Sequence, residues 1–183
     1  MGLRFNELSE RHIQFINEQK IFFVGTATAD SHVNVSPKGM DSLKVLNNTR
    51  VVWLNVTGSG NETAAHVQQD PRMTIMLCAF DGPPLVLRLY GTAKVTHKND
   101  PEWSTLFALF KPLPGARQIF DMAIDLVTTS CGMGTPYFSY IEDRELLNNW
   151  AIKKGEDGLK RYWEEKNQTS IDGIATHIVA KNC

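Results

Sequence analysis

Two periods of apolar and polar positions alternate along the chain, and the places where the period changes divide it into elements. Residues 7–20 put Leu8, His12, Phe15, Ile16 and Gln19 at helical spacing, with Asn6 placed to cap the first turn. From Ile21 the period drops to two. Residues 21–28 are β-branched and aromatic, Ala29-Asp-Ser-His32 is a turn, and residues 33–37 alternate again, which predicts a hairpin. Further strands are predicted over residues 42–46, 50–56, 72–80, 85–97 and 119–129, with turns at Asn47-Asn48 and Asp81-Gly-Pro-Pro84. Asn61 is placed to cap a short helix that Asp70-Pro71 stops, and Asp100-Pro101 opens another that runs to about Phe110. Mixed charges with Leu146, Trp150, Leu159, Tyr162 and Trp163 predict a helix pair over residues 141–167, separated near Gly155 and Gly158. The last fifteen residues read as a loose tail.

These elements imply one mainly β (α+β) domain over residues 1–183. An N-terminal helix occupies 1–20, a barrel or sandwich 21–130, and the C-terminal helices pack on it. At 183 residues and 42% hydrophobic content the chain has an ordinary globular composition. Lys and Arg number 19 against 20 Asp and Glu, so no surplus of positive charge is available for a nucleic acid backbone. The longest apolar run, Ile75 to Phe80, is far short of a membrane span, and the N-terminus lacks the apolar stretch of a signal peptide. A cytoplasmic location without membrane attachment is therefore expected. Cys78, Cys131 and Cys183 form no Cys-x-x-Cys pair and the five histidines show no ligand spacing, so neither a disulfide frame nor a metal site is expected.

Candidate chemistry concentrates in Val56-Thr-Gly-Ser-Gly-Asn-Glu-Thr-Ala64, which leaves a strand and enters a helix. In that context unpaired N–H groups and the positive end of a helix can cradle an anion, and Gly58 and Gly60 permit close approach. A plain turn with an Asn cap is the competing reading. The stretch matches neither a Rossmann fingerprint nor a P-loop, because the third Gly and the Gly-Lys-Ser/Thr are both missing. Lys38, in Ser36-Pro-Lys-Gly39 at a strand end, could reach an anion on that loop or could be an ordinary surface lysine.

The ordered motifs Phe-Phe-Val-Gly-Thr-Ala, Val-Asn-Val-Ser-Pro-Lys-Gly, Val-Val-Trp-Leu, Thr-Gly-Ser-Gly-Asn-Glu-Thr-Ala, Leu-Arg-Leu-Tyr-Gly-Thr-Ala and Thr-Ser-Cys-Gly-Met-Gly-Thr-Pro resemble the pyridoxamine 5′-phosphate oxidase-like family of FMN-binding split β-barrels. The resemblance implies a six-stranded split β-barrel with flanking helices, and a homodimer with FMN at the subunit interface. It also implies flavin-mediated hydride transfer with a small organic substrate. The cofactor-binding residues it implies are Ser36, Lys38, Val56, Thr57, Gly58, Ser59, Asn61, Thr63, Arg88 and Trp150. No catalytic residue is implied.

The chain departs from the family pattern where the phosphate should be held. Asn61, Glu62 and Thr63 fall on the family's Ser-Arg-Lys triplet, and Val33 falls on an upstream arginine. Glu62 must therefore point away from any bound phosphate. After Trp150 the family's Arg-x-His/Asp-Arg segment is absent, so efficient oxidation of pyridoxamine phosphate is not expected. A non-catalytic flavin- or haem-binding carrier or sensor, and a deazaflavin-dependent reductase, are the alternatives on the same fold.

Overall fold

The structure, a computed structural model, describes residues 2–183. In chain order its elements are β1 (Leu3–Phe5), α1 (Glu10–Glu18), β2 (Phe22–Thr26), β3 (Asn34–Lys38), β4 (Leu43–Asn47), β5 (Arg50–Val56), α2 (Glu62–Gln69), β6 (Arg72–Cys78), β7 (Val86–His97), α3 (Trp103–Phe107), β8 (Ala116–Ser130), α4 (Leu146–Lys166) and α5 (Ile178–Asn182). The strands form one antiparallel sheet in the order β3-β2-β6-β7-β8-β5-β4, with β1 attached to β8. The mainly β class holds. The sheet has eight strands rather than six, and its two outermost strands, β3 and β4, do not pair with each other.

The long strands β7 and β8 form the spine. One edge of β8 pairs with β7 along almost its whole length, while the other edge is shared between β5 and β1. Both faces of the central strands are covered, which explains the unbroken apolar run Val51-Val-Trp-Leu54 in β5. Val51 and Trp53 enter the main core with Val24, Ile75, Leu77, Leu87, Leu89 and Phe120, beneath Leu8, Ile16, Ala64 and Val67. The Trp53 and Phe120 rings stack with centroids 4.6 Å apart. Val52 and Leu54 face the other way, toward Leu106, Phe110 and Ile119. Each such side chain contributes about 1.5–3 kcal/mol on burial, so the two layers together fix the register of β5.

Several boundaries differ from the sequence reading. The first helix starts at Glu10, and Ser9 rather than Asn6 caps it. Ser9 Oγ accepts from His12 N–H while His12 Nδ1 accepts from Ser9 N–H, at 3.3 and 3.2 Å. This reciprocal pair is a capping box with His in the place usually taken by Glu or Gln. Residues 3–5, counted with the helix, are instead a strand on β8.

Asp100 does not cap α3, which begins only at Trp103 and ends at Phe107; its carboxylate is taken by His97 N–H at 2.7 Å. The helix pair is present, broken at Gly155 by its positive φ of 63°. The final residues are not a loose tail. Thr169 bridges Ala175, and α5 buries Ile178 against Ala151, Leu159 and Trp163. No helix among the described residues is long and apolar enough to cross a membrane.

Candidate functional site

A cavity of about 470 Å³ opens between the end of β3, the end of β5, the loop 57–61, the first turn of α2 and the start of β8. Of the residues singled out from sequence, Ser36, Lys38, Val56, Thr57, Gly58, Ser59, Asn61 and Thr63 all line it. Arg88 and Trp150 do not. Arg88 donates to Ser130 Oγ at 3.2 Å on the neighbouring strand, and Trp150 packs edge-on against Tyr162.

Two cations reach the cavity. Lys38 is half-buried, its Nζ 5.1 Å from the centre of the Trp53 ring. Burial, and secondarily the charge of Arg117, hold its pKa down to about 8. Arg117, at the start of β8, is only 3% exposed and lines the same cavity. It donates to Asn167 Oδ1 at 2.9 Å and to the Gly60 carbonyl at 2.7 Å. Among the described residues neither cation has a carboxylate partner. Burial pushes the Arg117 guanidinium well below its ordinary pKa. A buried cation without an anion is costly, so the arrangement is suited to a negatively charged ligand.

Asn61 sits at the N-cap of α2 but makes no capping bond. It is 3% exposed, and neither its Oδ1 nor its Nδ2 has a partner. An orphaned buried amide beside two unpaired cations fits a ligand with both acceptors and donors. Thr63 Oγ1 accepts from Asn34 Nδ2 at 3.3 Å and from Thr26 Oγ1 at 3.5 Å, which leaves its own proton free to donate. Thr57 is different. Its hydroxyl donates to Gly115 O at 2.8 Å and accepts from Trp163 Nε1 at 2.9 Å, so it has no proton to offer. Glu62 lines the rim, where its carboxylate accepts from Ile171 N–H at 3.0 Å and is engaged with the C-terminal segment.

Sequence reasoning missed Arg117 and Asn167. Arg117 lies between the Lys111–Gly115 breaker and the apolar run that begins at Ile119, where a lone Arg among apolar residues was the available signal. Asn167 carried no signal at all, because it follows a charged helix and contacts the loop only through the tertiary fold.

The model of the pyridoxamine 5′-phosphate oxidase family matches residues 8–131. The chain belongs to this family. It is 32% identical over 194 aligned residues to the pyridoxamine 5′-phosphate oxidase family protein ustO of Aspergillus flavus, an alignment spanning 95% of this chain and 77% of that one. Among solved structures it is similar to a candidate pyridoxamine 5′-phosphate oxidase from Lactobacillus delbrueckii, with a TM-score of 0.55 and 21% identity over 69% of this chain and 97% of the other. A His-to-Ala variant of HupZ from Group A Streptococcus matches at a TM-score of 0.56 and 15% identity, over 67% and 98% of the two chains. These likenesses place the sheet in the split-barrel class. Within the pyridoxamine 5′-phosphate oxidase family match lie Lys38, Asn61 and Arg117, whereas Asn167 and both C-terminal helices lie beyond it.

Proposed function

We propose that this member of the pyridoxamine 5′-phosphate oxidase family binds FMN in the 470 Å³ cavity and serves as a flavin-dependent oxidoreductase of a small organic substrate. The observation that carries the reading is the pair of cations, half-buried Lys38 and buried Arg117, that line one cavity with no carboxylate bonded to either, the lining carboxylate of Glu62 being taken by Ile171 N–H. A phosphate monoester bears about −1.5 to −2 charges at neutral pH and would neutralise both. The charge missing at Glu62 and Thr63 is thus supplied from β8 instead. Asn61 and the Thr63 hydroxyl would add neutral hydrogen bonds, and the N-terminus of α2 a favourable dipole. Bound here, a flavin supplies the redox chemistry, taking up a hydride equivalent from the substrate. The chain's own part is to bind, orient and shield it.

The proposal includes a homodimer whose second copy completes the cofactor cleft. It does not include pyridoxamine 5′-phosphate as an efficient substrate, because the Arg-x-His/Asp-Arg segment whose guanidinium groups would grip the substrate phosphate is missing after Trp150. Turnover of that compound is accordingly expected well below 1 per second, the low end of ordinary enzyme rates. The test of the main reading is the visible spectrum of the purified protein, followed by titration of the apoprotein with FMN and riboflavin. A two-band flavin spectrum and tighter binding of FMN than of riboflavin are expected. A Soret band, or no affinity for FMN, would overturn it.

A further inference from the structure

The loop between β5 and α2 is held in an unusual way. Three consecutive carbonyls, those of Gly58, Ser59 and Gly60, all accept hydrogen bonds from buried side chains on the same side. Asn167 Nδ2 donates to Gly58 O at 3.1 Å and to Ser59 O at 3.3 Å, and Arg117 Nη2 donates to Gly60 O at 2.7 Å. Asn167 itself is fully buried, with Oδ1 on Arg117 and its backbone carbonyl accepting from Thr176 Oγ1 at 2.6 Å.

No peptide bond among the described residues is cis. In a trans peptide the C=O of one residue and the N–H of the next point in opposite directions. Three carbonyls turned toward Asn167 and Arg117 therefore turn the N–H groups of Ser59, Gly60 and Asn61 the other way. None of these three N–H groups has an acceptor among the described residues. Ser59 and Gly60 are exposed, and all three residues line the cavity. The unpartnered, 97%-buried Asn61 side chain lies at the same place.

We infer that Asn167 is a positioning residue: by holding the Gly58 and Ser59 carbonyls, next to the Gly60 carbonyl that Arg117 holds, it turns the backbone N–H groups that follow them toward the phosphate group of the ligand. The inference rests on the proposed FMN reading for its ligand. Its physical content is a preformed anion cradle, a concavity of successive N–H groups. It also assigns a task to the C-terminal part of the chain. The helix pair and α5 deliver Asn167 to the loop from outside the family match; the Thr176 hydroxyl on its carbonyl fixes its backbone, and Arg117 Nη1 on its Oδ1 fixes its side chain.

Three measurements test this. The first adds inorganic phosphate to ¹⁵N-labelled wild-type protein and follows amide resonances; Ser59, Gly60 and Asn61 should move together to lower field, as amides do on gaining an anionic acceptor. The second compares FMN and riboflavin affinity in Asn167→Leu, in which the Gly58 and Ser59 carbonyls lose their donor while Arg117, released from Oδ1, is left more free for phosphate. FMN should bind at least about tenfold more weakly with riboflavin nearly unchanged, although the variant has the less encumbered cation. The third is Asn167→Asp, which both pairs Arg117 with a carboxylate and sets that carboxylate against the loop carbonyls, and should lose FMN preference to a greater degree than Asn167→Leu.

A purely structural Asn167 would weaken both flavins equally, and that result overturns the inference, as would unmoved amides in the wild type. The amide experiment needs no variant, so it decides the matter even if the substitutions fail to fold. Wild-type protein that shifts these amides with phosphate yet takes no FMN would keep the cradle and reject the FMN reading. FMN binding with unmoved amides would do the reverse.

Discussion

In the proposed FMN site Lys38 and Arg117 would share the phosphate charge between them, and their chemistry can be separated. A charge-assisted hydrogen bond to a partly buried phosphate is worth roughly 1.5–3 kcal/mol, so Lys38→Ala should weaken FMN by about 10- to 150-fold and leave riboflavin almost untouched. Fluorescence-quenching titrations check this. The same lysine predicts a pH profile. With its pKa held down to about 8 in the free protein, Lys38 loses its charge as pH rises through that value. FMN affinity should then fall by up to about tenfold per pH unit above 8, and the Lys38→Ala profile should be flat there. His97 predicts an effect of opposite pH sense on stability. Burial, with Lys181 nearby, holds its pKa down to about 4. The unfolded chain takes up this proton near pH 6.5 while the native state refuses it, so the stabilisation is complete above 6.5 and is lost as pH falls toward 4. Between pH 7 and 5 wild type should lose on the order of 2 kcal/mol more than His97→Gln in urea unfolding. Lys38 was legible from its place at a strand end beside a glycine loop. Arg117 was less so: its type stood out ahead of the apolar run, but its partners, Gly60 and Asn167, are distant in sequence.

At the scale of elements, the β7–β8 ladder is the longest pairing in the sheet, and Gly91 is its tightest point. The register shifts between Tyr90 and Gly91, and a Cβ added at Gly91 would lie 1.9 Å from the Ala123 carbonyl oxygen. That oxygen belongs to a strand paired on both sides and cannot yield alone. Gly91→Ala should cost at least about 1–3 kcal/mol, whereas Gly134→Ala, whose Cβ meets nothing within 4 Å, should stay within about 0.5 kcal/mol of wild type in the same urea titration. The strands were readable because two-residue alternation is a property of the local sequence. Their attachments were less so. Asn6 and Ser9 are both good caps, and the choice fell to Ser9 because His12 can return the hydrogen bond and because residues 3–5 were needed as a strand edge for β8. The C-terminal residues looked loose for a similar reason. Ile178 finds its pocket only once α4 has folded back, and nothing local announces that contact.

For the whole molecule, the proposed redox site calls for a second copy to shield it, and the chain displays a candidate surface for the contact. Between the end of β8 and the start of α4 the backbone is irregular and its side chains are exposed, among them Tyr137 at 79%, Phe138 at 62%, Tyr140 at 54% and Ile141 at 89%. Phe138 is tied down by its N–H to Phe80 O at 3.0 Å and by ring contact with Phe80, and Lys20 Nζ lies 5.7 Å from the centre of the Tyr140 ring. Contiguous exposed apolar groups of this kind mark association surfaces on soluble proteins, and homodimer interfaces are the more apolar class. The segment leads into α4, whose Leu147 lines the cavity. The proposed dimer therefore makes a linked prediction. Light scattering at tens of micromolar should give twice the 20.6 kDa chain mass. Tyr137→Ser combined with Ile141→Ser should shift the protein toward monomer and weaken FMN at the same time, because both events depend on one surface. Both side chains are solvent-exposed in the single chain, so the substitutions should leave its thermal unfolding close to wild type once the dimer has dissociated. A wild-type monomer that retains full FMN affinity would show that the cavity of one chain suffices, and the exposed segment would then need another explanation.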